Sequence, residues 1–84
     1  MDVWGALADP TRREILDLLK GRPYTAGELA DQFSLSAATV SHHLAILRET
    51  KLVSTTRRAQ TIIYSLDPRV LRHLMNGLAE FLNS

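Results

Sequence analysis

From Ser36 to Thr50 the chain reads Ser-Ala-Ala-Thr-Val-Ser-His-His-Leu-Ala-Ile-Leu-Arg-Glu-Thr. At about 100° per residue, a helix here gathers Val40, Leu44 and Leu47 on one side and turns Ala38, Ser41, His42 and Ala45 to the other. A solvent face ordinarily carries Lys and Glu, which favour helix and are soluble. This one carries short side chains that let a backbone press against a surface and still bond to it. Hydroxyls donate or accept, a neutral imidazole offers one of each, and an alanine methyl can meet a thymine methyl. Ser36, Ala38, Thr39, Ser41 and His42 are therefore the candidate base-reading set of a helix in a DNA major groove. The competing reading is a surface helix with unremarkable filler, and the flanking chain argues against it.

Arg57, Arg58 and Gln60 lie between two β-prone runs, where a hairpin tip would carry them to a phosphate or into a minor groove. A solvated loop is their bland alternative. Thr25 and the amides at helix starts are candidate phosphate donors. Arg12 and Arg13 follow a helix start, and for them an intrachain or interface contact competes evenly with DNA. Arg48 and Lys51 stand where cations complement a helix dipole.

The histidines do not chelate together within one chain. His42 and His43 are adjacent, so on a helix their side chains diverge by about 100°. His43 flanks the apolar spine and reads as a packed, hydrogen-bonded imidazole. His73 has no second histidine three or four residues away. No metal site or cofactor is expected. No phosphate-cradling loop, carboxylate pair or Ser-His-Asp arrangement suggests catalysis, so an enzyme is not expected either.

These side chains need elements to hold them, and the punctuation is clear. Met1 to Ala8 is a short helix with Val3, Trp4 and Leu7 on one side. Asp9-Pro10 starts a second, carrying Ile15, Leu16, Leu18 and Leu19 and stopping at Gly21. Thr25-Ala-Gly-Glu28 fits a capping box before a helix with Leu29, Ala30 and Phe33 inward. Ser36 caps the next. Two short helices joined by a tight turn, the second contact-ready, make a helix-turn-helix. Val53–Thr56 and Thr61–Leu66 then alternate as strands. With no Gly, Asn or Asp between them, a loop longer than two residues is expected. Asp67-Pro68 opens a last helix whose Val70, Leu71, Leu74, Met75, Leu78, Phe81 and Leu82 cover about half its circumference, wider than one packing partner needs. The expected fold is mainly α with a small β-hairpin, a winged helix-turn-helix in the order α-α-α-α-β-β-α, forming one domain over residues 1–84.

Composition agrees. Eighty-four residues, 45% hydrophobic and 23% charged, make one small globular domain near the size where oligomerisation often completes the core. The absence of cysteine rules out a disulfide scaffold and fits a reducing cytoplasm. No apolar run reaches membrane-spanning length and the N-terminus lacks signal-peptide character, so a cytoplasmic protein without membrane insertion is expected. A net charge of +1 does not by itself announce a nucleic-acid partner.

Asp9-Pro-Thr-Arg-Arg-Glu-Ile-Leu16, the Ser36–Leu47 stretch with Val40-Ser-His-His-Leu44, and Tyr64-Ser-Leu66 resemble the ArsR family of small bacterial winged-helix repressors. The likeness runs over nearly the whole chain, and among subgroups it is nearest to the short, metal-independent SdpR-type autorepressors. The resemblance implies a homodimer joined through the first and last helices, which here assigns Val3, Trp4, Leu7, Leu71, Leu74, Met75, Leu78 and Phe81 to the interface. It further implies repression from an inverted-repeat operator in double-stranded DNA, and release by a signal, an unidentified protein or small-molecule inducer. Family metal sensors use a Cys pair on the helix spanning Thr25 to Phe33, or a His/Asp set on the terminal helices. Neither is present, which leaves an intersubunit site of Asp67, His73 and Glu80 as the metal-responsive alternative. A protein-interaction module is the other. Two departures bear on shape: Ala59 stands where the family has a wing-tip glycine, and Thr50-Lys51 where Ala-Gly often closes the recognition helix, leaving that end without its usual left-handed residue.

Overall fold

The computed structural model describes all of Met1–Ser84. In chain order it has α1 (Val3–Leu7), α2 (Pro10–Gly21), β1 (Tyr24–Thr25), α3 (Ala26–Gln32), α4 (Ala37–Glu49), β2 (Val53–Arg58), β3 (Thr61–Leu66) and α5 (Pro68–Asn83). Every helix starts on a side-chain cap. Asp2, Asp9, Ser36 and Asp67 accept from the amides of Gly5, Arg12, Thr39 and Arg69, and Thr25 and Glu28 form both halves of the expected capping box. Each such cap contributes about 1 kcal/mol and fixes where its helix begins.

The winged helix-turn-helix is present, with three corrections. The first is an extra strand: β1 pairs antiparallel with β3, Tyr24 opposite Tyr64 and Thr25 opposite Ile63, giving the sheet order β1-β3-β2. Thr25 thus both ends a strand and caps α3, so the helix-turn-helix is fastened to the sheet of the wing. The second concerns the hairpin. Its ladder runs out to Arg58 opposite Thr61, leaving only Ala59 and Gln60 to connect the strands, not a longer loop. Ala59 takes φ 55° and Gln60 stays negative, so this is not a type I′ turn. The third is at the end of α4, where Lys51 itself adopts φ 65° and supplies the left-handed residue whose absence the sequence suggested.

The core lies where α2, α3, α4 and the base of β2 converge. Ile15, Leu29, Val40, Leu47 and Leu52 are fully buried, and Leu44 almost so. The amide of Asp67 donates to the carbonyl of Leu52 at 3.0 Å, which fixes the start of α5 against the end of the α4–β2 turn. From there α5 projects. It has no buried residue, and the protomer measures 47 × 25 × 22 Å with a radius of gyration of 13.5 Å. A chain of this length packed evenly would give about 12 Å.

Candidate nucleic-acid interface

One side of α4 is sealed and the other is open. Val40, Leu44 and Leu47 are at most 1% exposed, whereas Ala38, Thr39, Ser41, His42 and Ala45 are exposed. At the start of the helix Ser36 Oγ accepts from the Thr39 amide at 3.1 Å and lies 2.9 Å from Thr39 Oγ1. One hydroxyl hydrogen closes that bond and the other remains to donate outward. The five residues proposed to read bases thus share one exposed, uncharged, hydrogen-bonding surface.

His42 and His43 part company as expected. Their ring centroids are 6.0 Å apart with the planes tilted by 52°, so they do not face a common ion. His43 turns inward: its side chain is 13% exposed, with Nδ1 3.2 Å from Arg12 Nη1 and 3.9 Å from Asp9 Oδ2. The Asp9 carboxyl lies below its usual range, chiefly because it accepts the Arg12 amide, with the charge of the Arg12 guanidinium adding to this.

Arg12 and Arg13 have structural partners. Arg12 is 7% exposed and donates to the carbonyls of Ala6 (2.8 Å) and Gly5 (3.2 Å). Arg13, on the surface, donates to the Leu7 carbonyl at 2.8 Å. Consecutive arginines in the first turn of α2 therefore bond the carbonyls at the end of α1, sharing that of Gly5 with the Ala8 amide. Cations are unfavourable at that end of a helix, and this was the available sign that they had other work.

The remaining candidates sit on separate elements. Thr25 is half-buried; its hydroxyl oxygen accepts the Glu28 amide at 3.1 Å and its own amide goes to Glu28 Oε1 at 2.9 Å. That amide holds the Glu28 carboxyl below its usual range, assisted by Arg22 at 3.4 Å. The Thr25 hydroxyl hydrogen is what remains to donate. At the wing, Arg57, Arg58 and Gln60 are all exposed, and the strand alternation sends Arg57 and Arg58 to opposite faces. Arg57 lies on the face of Val53 and Thr55 and donates to the Ala59 carbonyl at 3.2 Å, while Arg58 lies on the face of Thr56.

A second surface faces away from the core. Trp4 and Leu7 of α1 with Leu71, Leu74, Met75 and Leu78 of α5 line a groove with no polar residue among its walls. Phe81 and Leu82 extend it, 74% and 71% exposed, while Val3 packs on the core.

The model of the bacterial regulatory protein, arsR family matches residues 9–55, from the cap of α2 through both helices of the helix-turn-helix into β2. The chain belongs to the ArsR family. This ArsR-family chain is 46% identical over 82 residues to the transcriptional repressor SdpR of Bacillus subtilis, covering 98% of this chain and 91% of that one. The solved structure of NolR from Sinorhizobium fredii, 40% identical, superposes with a TM-score of 0.75 over 93% of this chain and 78% of its own. An ArsR-like transcriptional regulator from Rhodococcus sp. RHA1, 29% identical, superposes at 0.90 over 94% and 72%. The expected family and subgroup likeness both hold. The protein is a winged helix-turn-helix, DNA-binding transcriptional regulator and not an enzyme, and no helix in it is long and apolar enough to cross a membrane.

Proposed function

We propose that this regulator is a homodimeric repressor that occupies an inverted-repeat DNA operator and is released by a protein or small-molecule signal. The observation that carries the reading is α4 itself: its apolar spine is sealed in the core while Ser36, Ala38, Thr39, Ser41 and His42 stand together in solvent. The apolar groove between α1 and α5 supports the dimer, since a second copy related by a two-fold axis would cover it. Thr25, Arg57, Arg58 and Gln60 then take backbone or minor-groove positions. Similarity to a repressor supports repression, and control of its own promoter is the finer expectation that the sequence resemblance implies.

Selecting DNA from a randomised library with the purified protein tests the reading. The selected sequences should be inverted repeats with half-sites about 34 Å, one helical turn, apart. Inserting about five base pairs between the half-sites turns one to the opposite side of the duplex and should abolish tight binding. Unchanged affinity would mean that the protein binds as a monomer. Selection of no sequence at all would favour the protein-interaction module.

A further inference from the structure

We propose that Arg12 is a positioning residue for DNA recognition: its buried guanidinium ties the carbonyl end of α1 to His43 on the inner side of α4, and so fixes how the dimer presents α4 to the duplex. The inference rests on the dimeric DNA-binding reading above.

A guanidinium withdrawn from water is costly unless its donors are met and its charge is balanced. Arg12, 7% exposed, has donors met from two helices, and its charge interacts with the Asp9 carboxylate without a direct ion pair. Nε and Nη2 bond the Ala6 and Gly5 carbonyls of α1, Nη1 faces His43 Nδ1 of α4 at 3.2 Å, and the carboxylate of Asp9 at the start of α2 lies 3.9 Å from that same nitrogen. A guanidinium has only donors, so the Arg12–His43 bond requires a bare Nδ1 and places the imidazole hydrogen on Nε2. The planar fork serves two helices at once, which a lysine ammonium would not reproduce.

The consequence for DNA follows from what each contact can restrain. The packing of Val40, Leu44 and Leu47 holds α4 to the core without direction and tolerates small rotations. The guanidinium–imidazole bond is directional and resists them. Its other end is on α1, whose Trp4 and Leu7 line the proposed dimer groove. One side chain therefore spans from the seam to the residue beside His42, and the distance between the two reading helices depends on it.

The test uses a duplex selected by the wild-type protein, with the half-site spacing then varied by one base pair. Arg12→Met keeps the stem and removes the donors. His43→Leu removes the acceptor, and His43→Asn returns an oxygen near the position of Nδ1. Wild type and His43→Asn should lose about tenfold in affinity for each base pair of altered spacing, whereas Arg12→Met and His43→Leu should lose less than about threefold. Sedimentation and thermal unfolding establish that the variants are folded dimers. If Arg12→Met does not fold, the two His43 variants decide the matter. Folded, dimeric Arg12→Met or His43→Leu with the wild-type spacing profile would overturn the role of Arg12 and leave the DNA-binding reading intact. A wild-type protein indifferent to spacing would overturn that reading, and this inference with it.

Discussion

The amide of Leu52 donates to the carbonyl of Leu47 at 3.0 Å, and this closure determines the backbone of the residue before Leu52. With Lys51 donating to the Arg48 carbonyl at 3.0 Å, it completes a Schellman motif whose two leucines are both wholly buried. The motif demands a left-handed residue, and Lys51 supplies it at φ 65°. A side chain with a Cβ costs about 1 kcal/mol there, which glycine does not incur. Lys51→Gly should therefore raise the urea unfolding free energy by about 1 kcal/mol with an unchanged m-value, and Lys51→Val should lower it. Equal stability of all three would show that the closure imposes no strain.

Local hydrogen bonds explain what could be read from the sequence. Asp9, Thr25, Ser36 and Asp67 were legible as caps because each acts within three residues of itself. The spine of α4 was legible because its period is that of a helix. β1 was not, because two residues have no period and their pairing comes from Ile63 and Tyr64, far along the chain. Nor were Lys51 and Ala59, whose left-handed backbones are imposed by a closure and a ladder against the preference of the residues. The candidate reading set needed only α4. The role of Arg12 needed His43, thirty-one positions away.

Acid should destabilise the fold through its caps. The side chain of Arg69 donates to Asp67 at 3.0 and 2.8 Å and its amide at 3.0 Å, the side-chain bonds being the main cause of a carboxyl pKa lowered from 3.8 to about 2. A folded-state value below the unfolded one means stability that is complete above about pH 4 and is lost as pH falls towards 2. Asp9 and Glu28, also lowered, act in the same direction. The melting temperature should be flat near neutrality and fall below about pH 4, and Asp67→Asn should make that fall shallower, since Asn still caps. An identical acid profile in the variant would assign the loss to other groups.

The seam can be tested without damaging the protomer. Leu78 is 48% exposed in a single chain, so an aspartate there costs the fold little, but it would place a charge inside a two-fold interface. Leu78→Asp should sediment as a monomer with near-native helix content. Leu74→Asp, at a half-buried position, should give a monomer or an unfolded chain. An intact dimer in both variants would place the interface elsewhere.

Transition metals should not alter DNA binding. No three His, Asp or Glu side chains converge within one chain, and the carboxylate that an intersubunit set with His73 and Glu80 would need, that of Asp67, is engaged by Arg69. Affinity for the selected duplex should be the same with chelator and with a modest excess of Zn²⁺, Ni²⁺ or Co²⁺. A change of about tenfold, roughly 1.4 kcal/mol of coupling, that vanished in His73→Ala would make the protein a metal sensor.

The reading helix and the wing should fail differently. Ser41 and His42 are exposed on α4 with their hydrogen-bonding groups turned from the core, so losing either removes a contact that only a matching base pair rewards. Ser41→Ala and His42→Ala should each reduce the preference for the selected sequence over random DNA by about 1–3 kcal/mol. Arg57 and Arg58 are charges at a hairpin tip, and phosphates are the same on every sequence. Arg57→Ala with Arg58→Ala should weaken both kinds of DNA alike and flatten the dependence of affinity on salt. The alternation of β2 adds a finer expectation. The two arginines point to opposite faces, so each single variant should remove its own share of the salt dependence, and the two shares should add. Loss of sequence preference in the wing variant, with preference kept in the helix variants, would reverse this division of labour.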